Sequence, residues 1–194
     1  MLKVGLTGNY FSGIDDISNT YKKLKIPVFE VDLIIKFMLY NNQDTIEKIR
    51  EEFGNVVFMN HKIELNAFRG TSTFRRLMKV LELDLITTYE KWRLVNKAPF
   101  TIFKSQILFE SNWNNLMNFN ISVFKPTGIR VGEIQDTYKM RSTEAWALVD
   151  TEIDPFQKNR LCNYTIHNYE SYNDSVEKQI TNINKTISSK ALIF

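Results

Sequence analysis

A doubly wound α/β fold, with about five parallel strands flanked by helices, is what this sequence predicts. Three observations carry that expectation. Short apolar runs alternate with longer segments of helical period. The first apolar run leads through a glycine-containing turn directly into a helical segment. Hydrophobic residues make up 43% of the 194 residues and aromatics 13%, enough to bury a sizeable core. A chain of this length falls in the usual span of one domain, so residues 1–194 are expected to form a single unit.

The elements follow in order. Leu2–Thr7 is a short apolar run ending at Gly8 and predicts the first strand. Asp15–Leu24 then reads as a helix. Asp15 and Asp16 fall in its first turn, where the helix dipole favours anions, and Lys22, Lys23 and Lys25 fall at its end, where cations are favoured. Pro27-Val28-Phe29 restarts an extended run, and helical spacing resumes over Val31–Tyr40. Ile46–Phe53 and Phe74–Trp92 are further helices, the second long and carrying apolar residues three and four apart. Phe100–Phe109 is the most strand-like stretch in the middle, followed by Ile121–Phe124. Ile129–Val149 is charged and amphipathic, Tyr164–Ile166 is a last short strand, and Ser175–Ile187 closes the chain as a helix. In such a sheet the ligand crevice lies at the carboxyl ends of the strands.

Composition narrows the function classes. The single cysteine, Cys162, leaves no intramolecular disulfide framework and no cysteine-rich zinc site. With 25 Lys+Arg against 22 Asp+Glu, the net charge of +3 is small for a nucleic-acid binder, so a nucleic-acid partner is not expected. No apolar run approaches the roughly 18 residues of a membrane-spanning helix, and the N-terminus turns polar too soon for a signal peptide. A protein of a reducing compartment, the cytoplasm, is the plain expectation. Asn, Ile and Lys, all with AT-rich codons, are frequent, which hints at an AT-rich microbe or virus.

The most informative segment is Gly5-Leu6-Thr7-Gly8-Asn9-Tyr10-Phe11-Ser12-Gly13-Ile14-Asp15-Asp16. A strand before it, a helix after it and glycines at positions 8 and 13 match the setting of a phosphate-binding P-loop, G-x-x-x-x-G-K-[ST]. Ile14 stands at the lysine position and Asp15 at the Ser/Thr position. Gly8 and Gly13 also suit a tight strand-to-helix turn with no ligand.

With Leu24-Lys25-Ile26-Pro27-Val28-Phe29-Glu30-Val31-Asp32 added, this opening resembles that of the dephospho-CoA kinases, where T-G-G-I-G-S-G-K-S is followed by a helix and a V-I-D-A-D-like segment. The resemblance continues at Phe53-Gly54, at Gln106-Ile107-Leu108-Phe109-Glu110, similar to the family's P-L-L-F-E-like strand, and at Tyr164-Thr165-Ile166-His167-Asn168, similar to its V-I-D-N-like strand. It implies a nucleoside-monophosphate-kinase fold with a P-loop, a helical acceptor-side region over about 60–98 and a lid-like helical region over about 127–160. It also implies Asp32 as a base for the acceptor hydroxyl, a residue that otherwise reads as a charged helix start. Arg130, Lys139 and Arg141, with Lys158 further on, stand for the family's arginine-rich lid; Arg141 is the candidate catalytic lid residue, and Arg130, Lys139, Lys158 and Asn168 are the candidate anion contacts.

The departures matter as much as the matches. Besides Ile14 and Asp15, Asn9 and Phe11 replace two loop glycines, Glu30 replaces the first Asp of the D-A-D segment, and Leu83-Asp84 stands where the family has His-Pro. Phosphoryl transfer is catalysed by positioning and charge neutralisation, so a missing cation costs several kcal/mol of transition-state stabilisation, about three decades in rate. Asp15 and Asp16 add negative charge at the helix N-terminus where phosphate would dock, and an aspartate there can cap the helix N–H groups itself. The loop of Gly8, Ser12, Gly13, Ile14 and Asp15 is therefore expected to be vestigial, its anion hole filled by its own carboxylates.

Other candidates read more plainly. Arg69, Arg75, Arg76 and Lys79 form a basic group that suits an anionic acceptor or a solvated helix face. His61 and His167 lack the companions of a zinc site, and Cys162 suits a buried thiol. Tyr89, Trp92, Trp113 and Trp146 are expected in core or interface packing, and the Ala-Leu-Ile-Phe tail in docking on a neighbouring subunit or finishing the core. The sequence-based expectation is a degenerate dephospho-CoA-kinase-like chain without phosphotransfer and without a cofactor. It would serve binding, structure or assembly with a protein partner or further copies of itself, in a phage for instance. The alternative is an active kinase for dephospho-CoA or a (deoxy)nucleoside monophosphate that uses ATP and Mg²⁺, with Arg130 and Arg141 replacing the lost lysine.

Overall fold

The computed structural model describes residues 1–59, 62–63, 71–170 and 172–193; His61, Arg69 and Phe194 lie outside the described residues. Five strands form one sheet: β1 (Leu2–Gly8), β2 (Val28–Glu30), β5 (Phe100–Lys104), β6 (Phe119–Phe124) and β7 (Tyr164–His167). Their order is β2-β5-β1-β6-β7, with β1 parallel to both β5 and β6, and β6 parallel to β7. β1 occupies the middle of the sheet, with Val4 and Leu6 buried on one face and Gly5 and Thr7 on the other. Val4 and Leu6 are fully buried, and Gly5 is packed so closely that a Cβ would strike Asn120 and Leu108. The register pairs Leu6 with Lys104 and Gly8 with Val123, which brings the ends of β5 and β6 beside the loop that leaves β1.

Helices flank the sheet. α1 (Ile14–Lys23) and α8 (Asp174–Ala191) pack into one core cluster with the sheet. α1 contributes Ile14, Ile17 and Tyr21, and α8 contributes Val176, Ile180, Ile183 and Ile187 at spacings of three and four. Each such isoleucine gains about 1.5–3 kcal/mol on burial. Asn173 starts α8 by accepting the N–H groups of Ser175 and Val176. α5 (Thr127–Tyr138) and α6 (Ser142–Val149) share a smaller core of Val131, Ile134, Ala145 and Val149, against which Tyr10 and Phe11 pack. α7 (Pro155–Arg160) is a short helix begun by the Asp154 carboxylate with Pro155 behind it.

The chain divides into two compact units, residues 1–29 with 97–194 and the intervening Glu30–Asn96. The second unit holds α2 (Val31–Asn41), α3 (Gln43–Phe53), the antiparallel pair β3 (Phe58–Met59) and β4 (Lys62–Ile63), and α4 (Thr71–Val95). Leu77, Leu81, Leu85 and Tyr89, buried along one face of α4, keep the period that the sequence showed. Lys48 pairs with Asp84 at 2.7 Å and Arg76 with Glu52 at 2.7 Å, so Arg76 is held by a carboxylate on a neighbouring helix.

Some boundaries differ from expectation. The strand expected over Phe100–Phe109 ends at Lys104, because Ser105 turns the chain and residues 106–112 close on themselves, Ser111 donating to the Ile107 carbonyl. The amphipathic stretch 129–149 breaks into two helices at Lys139, whose φ of 54° ends α5. The β3–β4 pair and α7 have no counterpart in the sequence reading, being two-residue strands and a six-residue helix.

Candidate functional site

The loop from Gly8 to Gly13 turns at the end of β1 in the manner of a P-loop. Gly8 passes too close to Ser12 and Val123 for any side chain. Gly13 sits at φ 84°, with the Asn168 amide where a Cβ would be. Asn168 braces the turn by donating to the Ser12 carbonyl at 2.8 Å. It thus acts as a strut, which a side chain expected to touch an anion can also be. The buried Ser12 hydroxyl has no hydrogen-bond partner among the described residues.

Ile14, at the P-loop lysine position, is 2% exposed and belongs to the main core. Asp15 does not cap α1. Gly13 holds the N-cap position with no side-chain bond, and Asp15 lies within the first turn. Its carboxylate instead accepts the ammonium of Lys104, which ends β5. Asp15, at the P-loop hydroxyl position, would offer Mg²⁺ a carboxylate already shared with that lysine, and no group of three His, Cys, Asp or Glu ligands gathers among the described residues.

One loop amide is taken by a carboxylate of the same chain, and that carboxylate is neither Asp15 nor Asp16. Glu152 accepts the backbone N–H of Tyr10 at 2.5 Å, and the same carboxylate takes Arg130 Nη1 at 2.6 Å. Arg130 also donates to the Tyr10 carbonyl at 2.9 Å, and Asn9 donates to the Ile153 carbonyl at 2.8 Å. Asp15 and Asp16 were expected in this role. A loop amide needs an acceptor from outside its own turn, and the segment after α6 delivers one. Sequence reasoning missed Glu152 because no local pattern marks it.

Two more buried cations stand nearby. Lys158, 1% exposed, donates to the Gln106 carbonyl at 2.9 Å and to Glu110 at 3.1 Å. Glu110 is thus a partner of Lys158. Lys125, 5% exposed and just past β6, donates to both oxygens of Glu133 on α5, at 2.7 and 2.9 Å. It had drawn no notice because nothing in its sequence neighbourhood marks a site. A crevice of about 470 Å³ opens among the loop, α1 and α5, lined by Phe11, Gly13, Ile14, Lys125, Glu133 and Tyr138 among others. At its wall Tyr10 and Tyr138 share a 2.7 Å hydrogen bond, and burial first, then this bond, pushes the Tyr10 phenol up to about 12.

Arg130 and Lys158 sit buried near the loop, each on a carboxylate of the same chain. Lys139 and Arg141 do not. Both side chains are exposed and neither lines the crevice, for Lys139 is the C-cap of α5 and Arg141 the N-cap of α6, its N–H bound by Glu144. Asp32 is exposed in the first turn of α2, in the second unit. Cys162 has its thiol pushed up to about 12 by burial, as a structural thiol would.

A family model, dephospho-CoA kinase, matches residues 2–174. The chain belongs to the dephospho-CoA kinase family. A Listeria innocua dephospho-CoA kinase is 21% identical to this family member over 196 residues, covering 96% of this chain and 98% of its own. Among solved structures, a Thermus thermophilus protein superposes with a TM-score of 0.78 at 17% identity over 97% of both chains. The Campylobacter jejuni dephospho-CoA kinase does so with a TM-score of 0.66 at 20% identity, covering 97% of this chain and 98% of its own. The fold is therefore that of the P-loop kinases, and the five-stranded parallel sheet expected of the family is present. No helix among the described residues is long and apolar enough to cross a membrane.

Proposed function

We propose that this dephospho-CoA kinase family member is an ATP-dependent phosphotransferase working with a non-standard phosphate cradle. Its acceptor is dephospho-CoA or a (deoxy)nucleoside monophosphate. The supporting observation is the cluster of four cations, Lys104, Lys125, Arg130 and Lys158, each 5% exposed or less, around the loop that follows β1. Burying a charge costs several kcal/mol and a buried ion pair adds little stability, so such a cluster is better explained by an anion to be bound. Transfer of a phosphoryl group calls for little else: charge neutralisation on the phosphates and alignment with the acceptor. The γ-phosphoryl passes to the acceptor oxygen, ADP leaves, and the acceptor proton goes to a base, for which Asp32 is the candidate.

A second reading has its own observation. Each of these cations already meets a carboxylate of the same chain, and Glu152 holds a loop amide that phosphate would use. On that reading transfer is lost and the fold serves a protein partner or an assembly of its own copies, cytoplasmic or virion-associated. One experiment separates the two. Purified protein is incubated with ATP, with and without Mg²⁺, and with dephospho-CoA or each nucleoside monophosphate, and the acceptor is followed by mass. A phosphorylated acceptor with matching ADP supports the kinase. Absence of both turnover and ATP binding leaves the second reading.

A further inference from the structure

We propose that Lys125 is the relocated phosphate-binding lysine of this site, an ammonium supplied from the end of β6 to a cradle whose own lysine position holds Ile14. The inference rests on the phosphotransferase reading and names the residue that does the binding. Its first support is placement. β6 is hydrogen-bonded to β1 with Val123 level with Gly8, so Lys125, two residues on, leaves the sheet at the end where the loop begins. The second is access. Among the described residues, Lys125 is the cation in the wall of the crevice, alongside Gly13 and Ile14. Lys104, Arg130 and Lys158 do not line it; Lys104 meets Asp15, Arg130 meets Glu152, Thr127 and the Tyr10 carbonyl, and Lys158 meets Glu110 and the Gln106 carbonyl.

The third support is the partner. Glu133 takes the Lys125 ammonium with both oxygens yet is 36% exposed, so the pair is open to exchange. A polyphosphate carrying several charges attracts an ammonium more strongly than one carboxylate does, because Coulomb attraction scales with the product of the charges, while Asp15 and Asp16 in the same wall oppose it. A lysine is a flexible point charge, able to swing from Glu133 to a phosphate oxygen without moving its backbone. Glu133 thus parks the ammonium when the crevice has no ligand. The alternative role, a pin holding α5 to β6, predicts a stability effect without any effect on ligand affinity.

Calorimetric titration with ATP, and separately with inorganic tripolyphosphate, tests this on the full chain, with a melting curve for every variant. Lys125→Met is expected to weaken both ligands by about tenfold or more, the worth of one charge-assisted contact. Lys125→Arg keeps affinity within about threefold, and Glu133→Gln tightens binding several-fold by freeing the ammonium. If Lys125→Met does not fold, the other two variants decide the matter by the same criteria. Wild-type binding that Lys125→Met leaves unchanged, or that Glu133→Gln weakens, overturns the inference while the phosphotransferase reading stands. A wild-type chain that binds neither ligand at millimolar concentration overturns both.

Discussion

Replacing Arg130 with methionine removes a guanidinium that is 1% exposed and leaves its partner behind. Glu152 is only 18% exposed, so its carboxylate would keep the Tyr10 N–H but lose its cation, and the Tyr10 carbonyl would lose a donor. Breaking a buried pair by deleting one member costs about 3–5 kcal/mol, and the surviving amide bond places this case near the lower end, about 3 kcal/mol. For a chain of this size that is a fall in melting temperature of about 6–12 °C. The decisive measurement is a double-mutant cycle by urea unfolding followed by tryptophan fluorescence. Arg130→Met with Glu152→Gln removes both charges while the new amide oxygen still accepts from Tyr10, so the pair is expected to cost about 2 kcal/mol less than the two single changes summed. Costs that simply add, to within about 0.5 kcal/mol, would refute the reasoning that the loop is held by a charge-coupled plug.

Other outcomes follow from the same structure. Stability should fall as pH rises above about 9. Burial raises the folded-state values of Cys162, Tyr10 and Tyr21, so the native chain holds protons that the unfolded chain releases, and stability present below the unfolded values is lost on the way up. Urea midpoints between neutral and strongly alkaline pH read this directly, and Cys162→Ala should delay the onset. Tyr21→Phe should be neutral or stabilising by up to about 1 kcal/mol, because the Tyr21 hydroxyl is buried with no partner among the described residues; a loss measured by thermal melting would show that a partner exists. Ile14→Lys with Asp15→Ser should raise ATP affinity about tenfold by restoring the loop cation and releasing Lys104, at about 2 kcal/mol of stability for the Ile14 side chain lost from the core. Titration calorimetry alongside melting separates the two effects.

The order of elements was legible in the chain because helix and strand periods are local. Val176, Ile180, Ile183 and Ile187 announce a one-faced helix, and Leu2–Gly8 a buried strand, whatever lies elsewhere. The loop at Gly8–Gly13 and its missing lysine were equally plain, since a P-loop is a contiguous pattern. Less legible were the breaks. Nothing in the charged stretch 129–149 marked Lys139 as a left-handed end to α5, and the apolar run to Phe109 hid the turn at Ser105.

The charges of the site belong to the tertiary structure alone. Glu152 meets Tyr10 across 142 positions and Lys104 meets Asp15 across 89, distances over which sequence carries no periodic signal. Those meetings depend on the sheet register, which sets β5 and β6 on either side of β1, and on the return of the chain after α6. Sequence therefore determined that a P-loop-like turn follows β1 and that isoleucine stands at its lysine position. Only the fold decided which carboxylate takes a loop amide and which lysine faces the crevice, because electrostatic partners are chosen by proximity in space.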